Sequence, residues 1–200
     1  MKKSIIFTSC IAIFSCTYLP DAIGKENEIV ILISPEDENI IKQQILDLFS
    51  LTINTPQPES EFSLIFKKPW ELESVKKYSN LFIVSLDFPN DSTADLLMQR
   101  LITRHKQDKP LLLLGELYAK NQVVCLAHTL DAISMETLIK SNKEWILNEF
   151  RNNQSKRLGI NMFKYGKNTV LSNRVLDIFG YTVDLQPDYT MIMSDSLKPF

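Results

Sequence analysis

Apolar residues fall in two rhythms along this chain. Ile29 to Ile33 form an unbroken, mostly β-branched run, which predicts a strand buried on both faces. Ser34-Pro35-Glu36-Asp37 follows at once. A cap serine, a proline at the first helical position and acids in the first turn predict a helix start. Ile41, Ile45, Leu48 and Phe49 then recur at helical spacing to about Leu51. Beyond a loop broken by Pro56 and Pro58, Phe62, Leu64 and Phe66 alternate with Ser63 and Lys67, the pattern of a strand nearer a sheet edge. Pro69 to Tyr78 predicts a short helix carrying Trp70 and Leu72 inward. Leu81 to Leu86 reads as a second buried strand. A helix over 92–106 would put Ala94, Leu97, Met98, Leu101 and Ile102 on one face.

Leu111 to Leu114 opens another strand, interrupted by Gly115 and running on through Leu117-Tyr118; a turn at Ala119 to Gln122 and an extended Val123 to His128 then make a hairpin. A long helix capped near Ser134 or Asp131 follows, with Met135, Leu138, Ile139, Trp145, Ile146 and Phe150 in phase. Asn142 shares that face as a boundary or internally satisfied polar group. Leu158, Met162 and Phe163 continue or restart this helix, Val170 to Phe179 line another, and Gly180 stands at its left-handed stop. Tyr181 to Leu185 and Tyr189 to Met193 read as extended around Pro187. The order predicts an α+β fold: a mixed sheet of about five strands, a ferredoxin-like split unit over 28–118, and C-terminal helices. The runs at Ile29 and Leu81, apolar on both faces, make a three-layer α/β arrangement the alternative.

The N-terminus follows another pattern. Met1-Lys2-Lys3, an apolar run from Ser4 to Phe14 and then Ser15-Cys16 form a secretory signal. Ile13-Phe14-Ser15-Cys16 resembles a bacterial lipobox, whose cysteine is lipidated and precedes no residue of the discarded segment; Phe14 is bulky for its position there. Ordinary cleavage without lipid is the plain alternative. An uncleaved span needs about 20 mainly apolar residues, and Ser4 to Leu19 is shorter and broken by polar positions. Cys10 leaves too short an apolar region ahead of it. The expected organisation is a signal over 1–15, a polar tether over 16–27 and a single domain over 28–200. Cleavage before Cys16 removes Lys2 and Lys3 and moves the formal charge from -2 to -4.

Composition narrows the chemistry. The chain is 44% hydrophobic and 23% charged, ordinary globular usage, and its near-neutral balance lacks a nucleic-acid footprint. With Cys16 lipidated, Cys125 is left without a bridging partner after cleavage, and its setting in Val123-Val124-Cys125-Leu126 is that of a core thiol. His105 and His128 have no neighbouring ligand at metal spacing. His105 suits a helix C-terminus, and His128 closes a strand. Glu116, the one acid inside an apolar stretch, is a bulged or edge carboxylate before it is a catalytic one. Tyr118, Tyr165, Tyr181 and Tyr189 are amphipathic contact candidates, most simply half-buried. No glycine-rich phosphate loop and no G-x-S-x-G elbow occurs, so no cofactor and no catalytic residue is assigned.

Several segments together resemble a known family. The lipobox-like signal, Gly24 to Val30, Asn80 to Asp87, Tyr118-Ala119-Lys120-Asn121-Gln122-Val123-Val124, Phe179 to Val183 and Pro187-Asp188-Tyr189 are similar to domain of unknown function 4837, uncharacterised lipoproteins of bacteroidete bacteria. That resemblance implies a lipid anchor at Cys16, placement on the outer membrane facing the periplasm, and a chain shorter than typical members, which carry a second half. It lends no catalytic residues. The expected function is a non-enzymatic binding or scaffolding module that meets the membrane through Cys16 and an envelope protein partner of unknown identity. The alternative is a hydrolase-like envelope enzyme whose acids come together only in space.

Overall fold

The computed structural model describes residues 18–53, 56–87, 90–97, 101 and 109–192. Cys10, Cys16 and His105 lie outside them, as do the signal segment, Met98, Ile102 and the chain after Ile192. The elements follow the hydrophobic rhythm closely: β1 (Glu28–Leu32), α1 (Pro35–Leu48), a small β2–β3 pair (Thr52–Ile53, Glu59–Ser60) and β4 (Ser63–Lys67). A 3₁₀ turn (Pro69–Glu71), α2 (Leu72–Val75), β5 (Asn80–Ser85), α3 (Ser92–Leu97) and β6 (Leu111–Gly115) come next. The described chain is completed by β7 (Val123–His128), α4 (Ala132–Met162) and α5 (Thr169–Phe179).

Five strands form one sheet in the order β4-β1-β5-β7-β6. The α+β expectation of a five-stranded mixed sheet holds, with β6 antiparallel to β7 as the predicted hairpin and β4 at an edge. The pairing differs from a ferredoxin-like split unit: β1 lies between β4 and β5 and is parallel to both, and β5 is parallel to β7. The reason lies in β1 itself. Ile29, Ile31 and Ile33 meet Ile41, Ile45 and Leu48 of α1 and Met135, Ile146 and Phe150 of α4 on one face. Val30 and Leu32 meet Leu72, Val75 and Leu97 of α2 and α3 on the other. A strand apolar on both sides needs helices on both sides, which parallel crossovers supply.

The α1 and α4 side is keyed by aromatic rings. Phe49 meets Phe62, Phe82 and Phe150 edge to face, with centroids 5.7, 5.9 and 5.8 Å apart, a geometry that adds to simple area burial. At the amino ends of the strands, buried amides take the place of apolar contacts. Asn153 of α4 donates to Asn80 Oδ1 (2.8 Å), and Asn80 donates to the Glu26 and Glu28 carbonyls (3.1 and 3.0 Å). Gln122 accepts from Tyr118 N and donates to the Lys76 and Tyr78 carbonyls. The Ala119-Lys120-Asn121-Gln122 segment is therefore a clamp joining the β6–β7 turn to the end of α2.

Three local outcomes differ from the sequence pattern. Trp70 is 68% exposed although Leu72 is buried, because the 3₁₀ turn places Pro69 and Leu72, three apart, on the inner face and Trp70 outside it. The strand after Leu111 ends at Gly115; Glu116 has φ +52 and bends the chain away before Leu117. Of the segment read as a tether, the part from Pro20 is docked before Glu28. Lys120 N donates to Pro20 O, Ala22 N to Lys120 O, and Ile23 N to Lys77 O. Elsewhere the caps stand where the sequence places them: Ser34 accepts from Asp37 N, Asp131 from Ser134 N, and Gly180 ends α5 at φ +75. Leu158 and Met162 continue the long helix without a break.

Candidate functional site

In an open parallel sheet, ligands sit outside the carboxyl ends of the strands where successive connections leave for opposite faces. That point lies here between β1 and β5. The exit of β1 leads into α1 on one face, and the exit of β5 leads into α3 on the other. A crevice of about 540 Å³ opens there, lined by Ser34, Asp37, Asp87, Asn90 and Asp91, with Trp70 after β4 on its rim.

Each wall residue is placed by an end of an element. Asp37 stands in the first turn of α1, held by the Ser34 cap, and is only 5% exposed. Its Oδ2 accepts from Leu86 N at 2.9 Å, so the start of α1 is tied to the exit of β5. Asp91 precedes α3; its Oδ1 accepts from Ser85 Oγ and from Ala94 N, both at 2.7 Å. Asp87 takes a left-handed backbone, φ +51, as it turns the chain out of β5.

The two carboxyls meet. Burial pushes the Asp37 carboxyl up from 3.8 to about 6, and its hydrogen bond with Asp91 and Asp91's charge add to that rise, against the lowering effect of the Leu86 and Ser34 bonds. Asp91 Oδ2 is sealed from water and has no other donor among the described residues. A proton on Asp37 supplies one, so the pair is satisfied as a carboxylic acid donating to a carboxylate.

This arrangement is unsuited to phosphate. The β1–α1 connection has no glycine, and Glu36, Asp37 and Glu38 occupy the first turn, where an anion would otherwise meet free N–H groups. Among the described residues, no group of three or more His, Cys, Asp or Glu is placed to hold a metal ion. Several acids and an exposed indole lining one crevice suit an organic cation instead, since both the acids and the ring face attract positive charge.

The residues singled out by sequence fall elsewhere. Cys125 is fully buried, and burial together with the Glu149 charge raises its thiol pKa far above the ordinary range, so it is a core thiol. His128 is buried with Nε2 2.9 Å from the Lys109 carbonyl oxygen. Glu116 is exposed and accepts from Asn121 N at 3.0 Å, closing a turn. Asn142 bonds the Leu138 carbonyl within its own helix. Tyr118 packs against the α2 and α3 side of the core, whereas Tyr165, Tyr181 and Tyr189 are exposed. Asp37, Asp91 and Trp70 were not marked as site residues by the sequence. The available signal was an aspartate shortly after each of two unbroken apolar strands.

One family model matches the chain, over residues 22–163, and it is described as a domain of unknown function (DUF8532). Its span takes in the whole crevice and the clamp at Gln122. The match is to this family, not to domain of unknown function 4837, and neither carries an assigned activity. No curated protein and no solved structure matches the chain. No helix among the described residues is long and apolar enough to cross a membrane.

Proposed function

The chain belongs to the domain of unknown function DUF8532, and from that premise we propose that it is a lipid-anchored binding module of the cell envelope. Cys16 carries the lipid, and the crevice between β1 and β5 takes an organic cation. The lipobox-like Ile13 to Cys16 supports the anchor. The observation that carries the binding reading is the coincidence of the sheet's topological switch with an acid-walled crevice rimmed by Trp70. The ammonium group sits in the crevice, drawn by the charge of its lining acids Glu36, Asp87 and Asp91 and, when ionised, of Asp37, with its carbon chain along the indole. Ionised Asp37 attracts it more than the acid form, so affinity rises as pH passes upward through about 6.

Tryptophan fluorescence tests this in a Trp145→Phe background, which leaves Trp70 as reporter. Putrescine, titrated at constant ionic strength, gives a saturable change that is stronger at pH 7.5 than at pH 5 and weakened in Asp91→Asn. A response no larger than that to sodium chloride at either pH would refute the site.

A second reading is favoured by one observation. An acid that holds its proton to about pH 6 beside a carboxylate is equipped for general acid–base catalysis. In that hydrolase-like alternative, Asp37→Asn abolishes turnover while putrescine still binds.

A further inference from the structure

A second cleft lies at the other end of the sheet, and its charge is opposite. It holds about 310 Å³ and is lined by Asp21, Lys120, Asn121, Arg157, Asn161 and Lys164, among others. Arg157, Asn161 and Lys164 recur three and four residues apart, which brings the end of α4 and the turn after it over the docked Pro20–Gly24 segment.

Arg157 is the unusual member. It is only 8% exposed, and Nη2 donates to the Gly24 carbonyl at 3.2 Å, but Nη1 is buried without any acceptor. No carboxylate forms an ion pair with it among the described residues. A guanidinium is kept charged in proteins, and burying one without a counter-charge is costly. Of the carboxylates nearby, Glu26 accepts from Asn161 Nδ2 at 2.8 Å and Glu116 lies 3.9 Å from Lys156 Nζ, and neither is paired with Arg157 among the described residues. Asp21 lines the cleft against Lys120, Lys164 and Arg157, one acid against three cations. Lys120 Nζ lies over the Tyr18 ring, 3.7 Å from its centroid, and forms no ion pair among the described residues.

We infer that this cleft is a binding site for a phosphate group, as free phosphate ester or lipid headgroup. The lining charges favour a doubly charged oxyanion over a single carboxylate, and a guanidinium gives phosphate oxygens charge-assisted hydrogen bonds. The site needs neither the acidic crevice nor the anchor. Its position does bear on the source of the phosphate, because the wall formed by Tyr18 to Gly24 is the chain that leads back to Cys16.

The unlipidated chain, Cys16→Ser, separates the sources. Inorganic phosphate and glycerol 3-phosphate, titrated at constant ionic strength against chloride and acetate, raise the unfolding midpoint saturably if the group is free. Flotation with phosphatidylglycerol vesicles, but not with phosphatidylcholine vesicles, marks a lipid headgroup. Arg157→Gln weakens the response at least about tenfold, the worth of one charge-assisted hydrogen bond. The exposed pair Lys120→Gln and Lys164→Gln, which leaves the core untouched, weakens it several-fold. Acetate acting as well as phosphate, variants that bind like the parent, or neither phosphate nor phosphatidylglycerol binding would overturn the inference.

Discussion

Replacing Asp37 by asparagine isolates the proton that joins α1 to the exit of β5. Asparagine keeps one acceptor for Leu86 N and one donor for Asp91 Oδ2, so it copies the protonated acid and cannot ionise. The folded state holds the Asp37 proton to about pH 6, whereas an unperturbed aspartate releases it near 3.8. Between these values the native protein binds more protons than the unfolded chain, so stability falls as pH rises, and the loss is complete above the folded value. The interval of roughly two pH units, at about 1.4 kcal/mol each, sets an upper size near 3 kcal/mol. Asp37→Asn is thus expected to be about as stable as the parent at pH 3.5 and more stable by on the order of 2–3 kcal/mol at pH 7.5. Urea unfolding of both proteins from pH 3.5 to 8 measures the difference, and taking it pairwise cancels Glu38, Glu71 and Asp131, whose lowered values contribute a slope of opposite sign at acid pH. Parallel pH curves for the two proteins, or a variant weaker at pH 7.5, would refute the shared-proton geometry.

Other substitutions test the frame around the site. Phe150→Ala removes a ring packed edge to face on Phe49 and Phe82 and should cost about 3–5 kcal/mol, read as a thermal midpoint lowered by roughly 10 °C. Gly24→Ala sets a Cβ 2.8 Å from Tyr78 Cδ1 at φ +87 and is expected to destabilise by about 1–3 kcal/mol in chemical denaturation. With Cys10 and Cys16 changed to serine, Cys125 should resist thiol reagents in the native protein and react at once in guanidinium, as a sealed thiol must. Labelled palmitate should enter the intact chain in a bacterial host and be absent from Cys16→Ser; incorporation into neither would remove the anchor from the proposal.

The hydrophobic rhythm carried most of the fold, because burial acts on each element separately. The run Ile29 to Ile33 is buried throughout, the Ser34 and Asp131 caps are in place, and the edge character of β4 is visible in its alternation. Pairing order is a property of the assembled sheet, so β1 between two parallel neighbours was open to a ferredoxin-like reading until the partners were known. Trp70 was misplaced for a local reason, a 3₁₀ turn where α-helical spacing was assumed. The site was less legible still. Asp37 has the sequence signature of an ordinary first-turn acid, and Asp91 that of a cap; only the approach of the β5 exit to α1 turns them into a pair. Arg157 likewise sits among exposed residues of α4, and its burial depends on Gly24, far away in the chain.

The most direct test of the acidic crevice as a ligand site is the carboxyl ¹³C titration of Asp37, followed by NMR with and without saturating putrescine. A midpoint near pH 6 is expected for the free protein, moving to lower pH with the diamine, because a bound cation favours the ionised carboxylate. A midpoint near 4 in the free protein, or one near 6 that putrescine leaves unmoved, would contradict the proposal that this pair receives a cation.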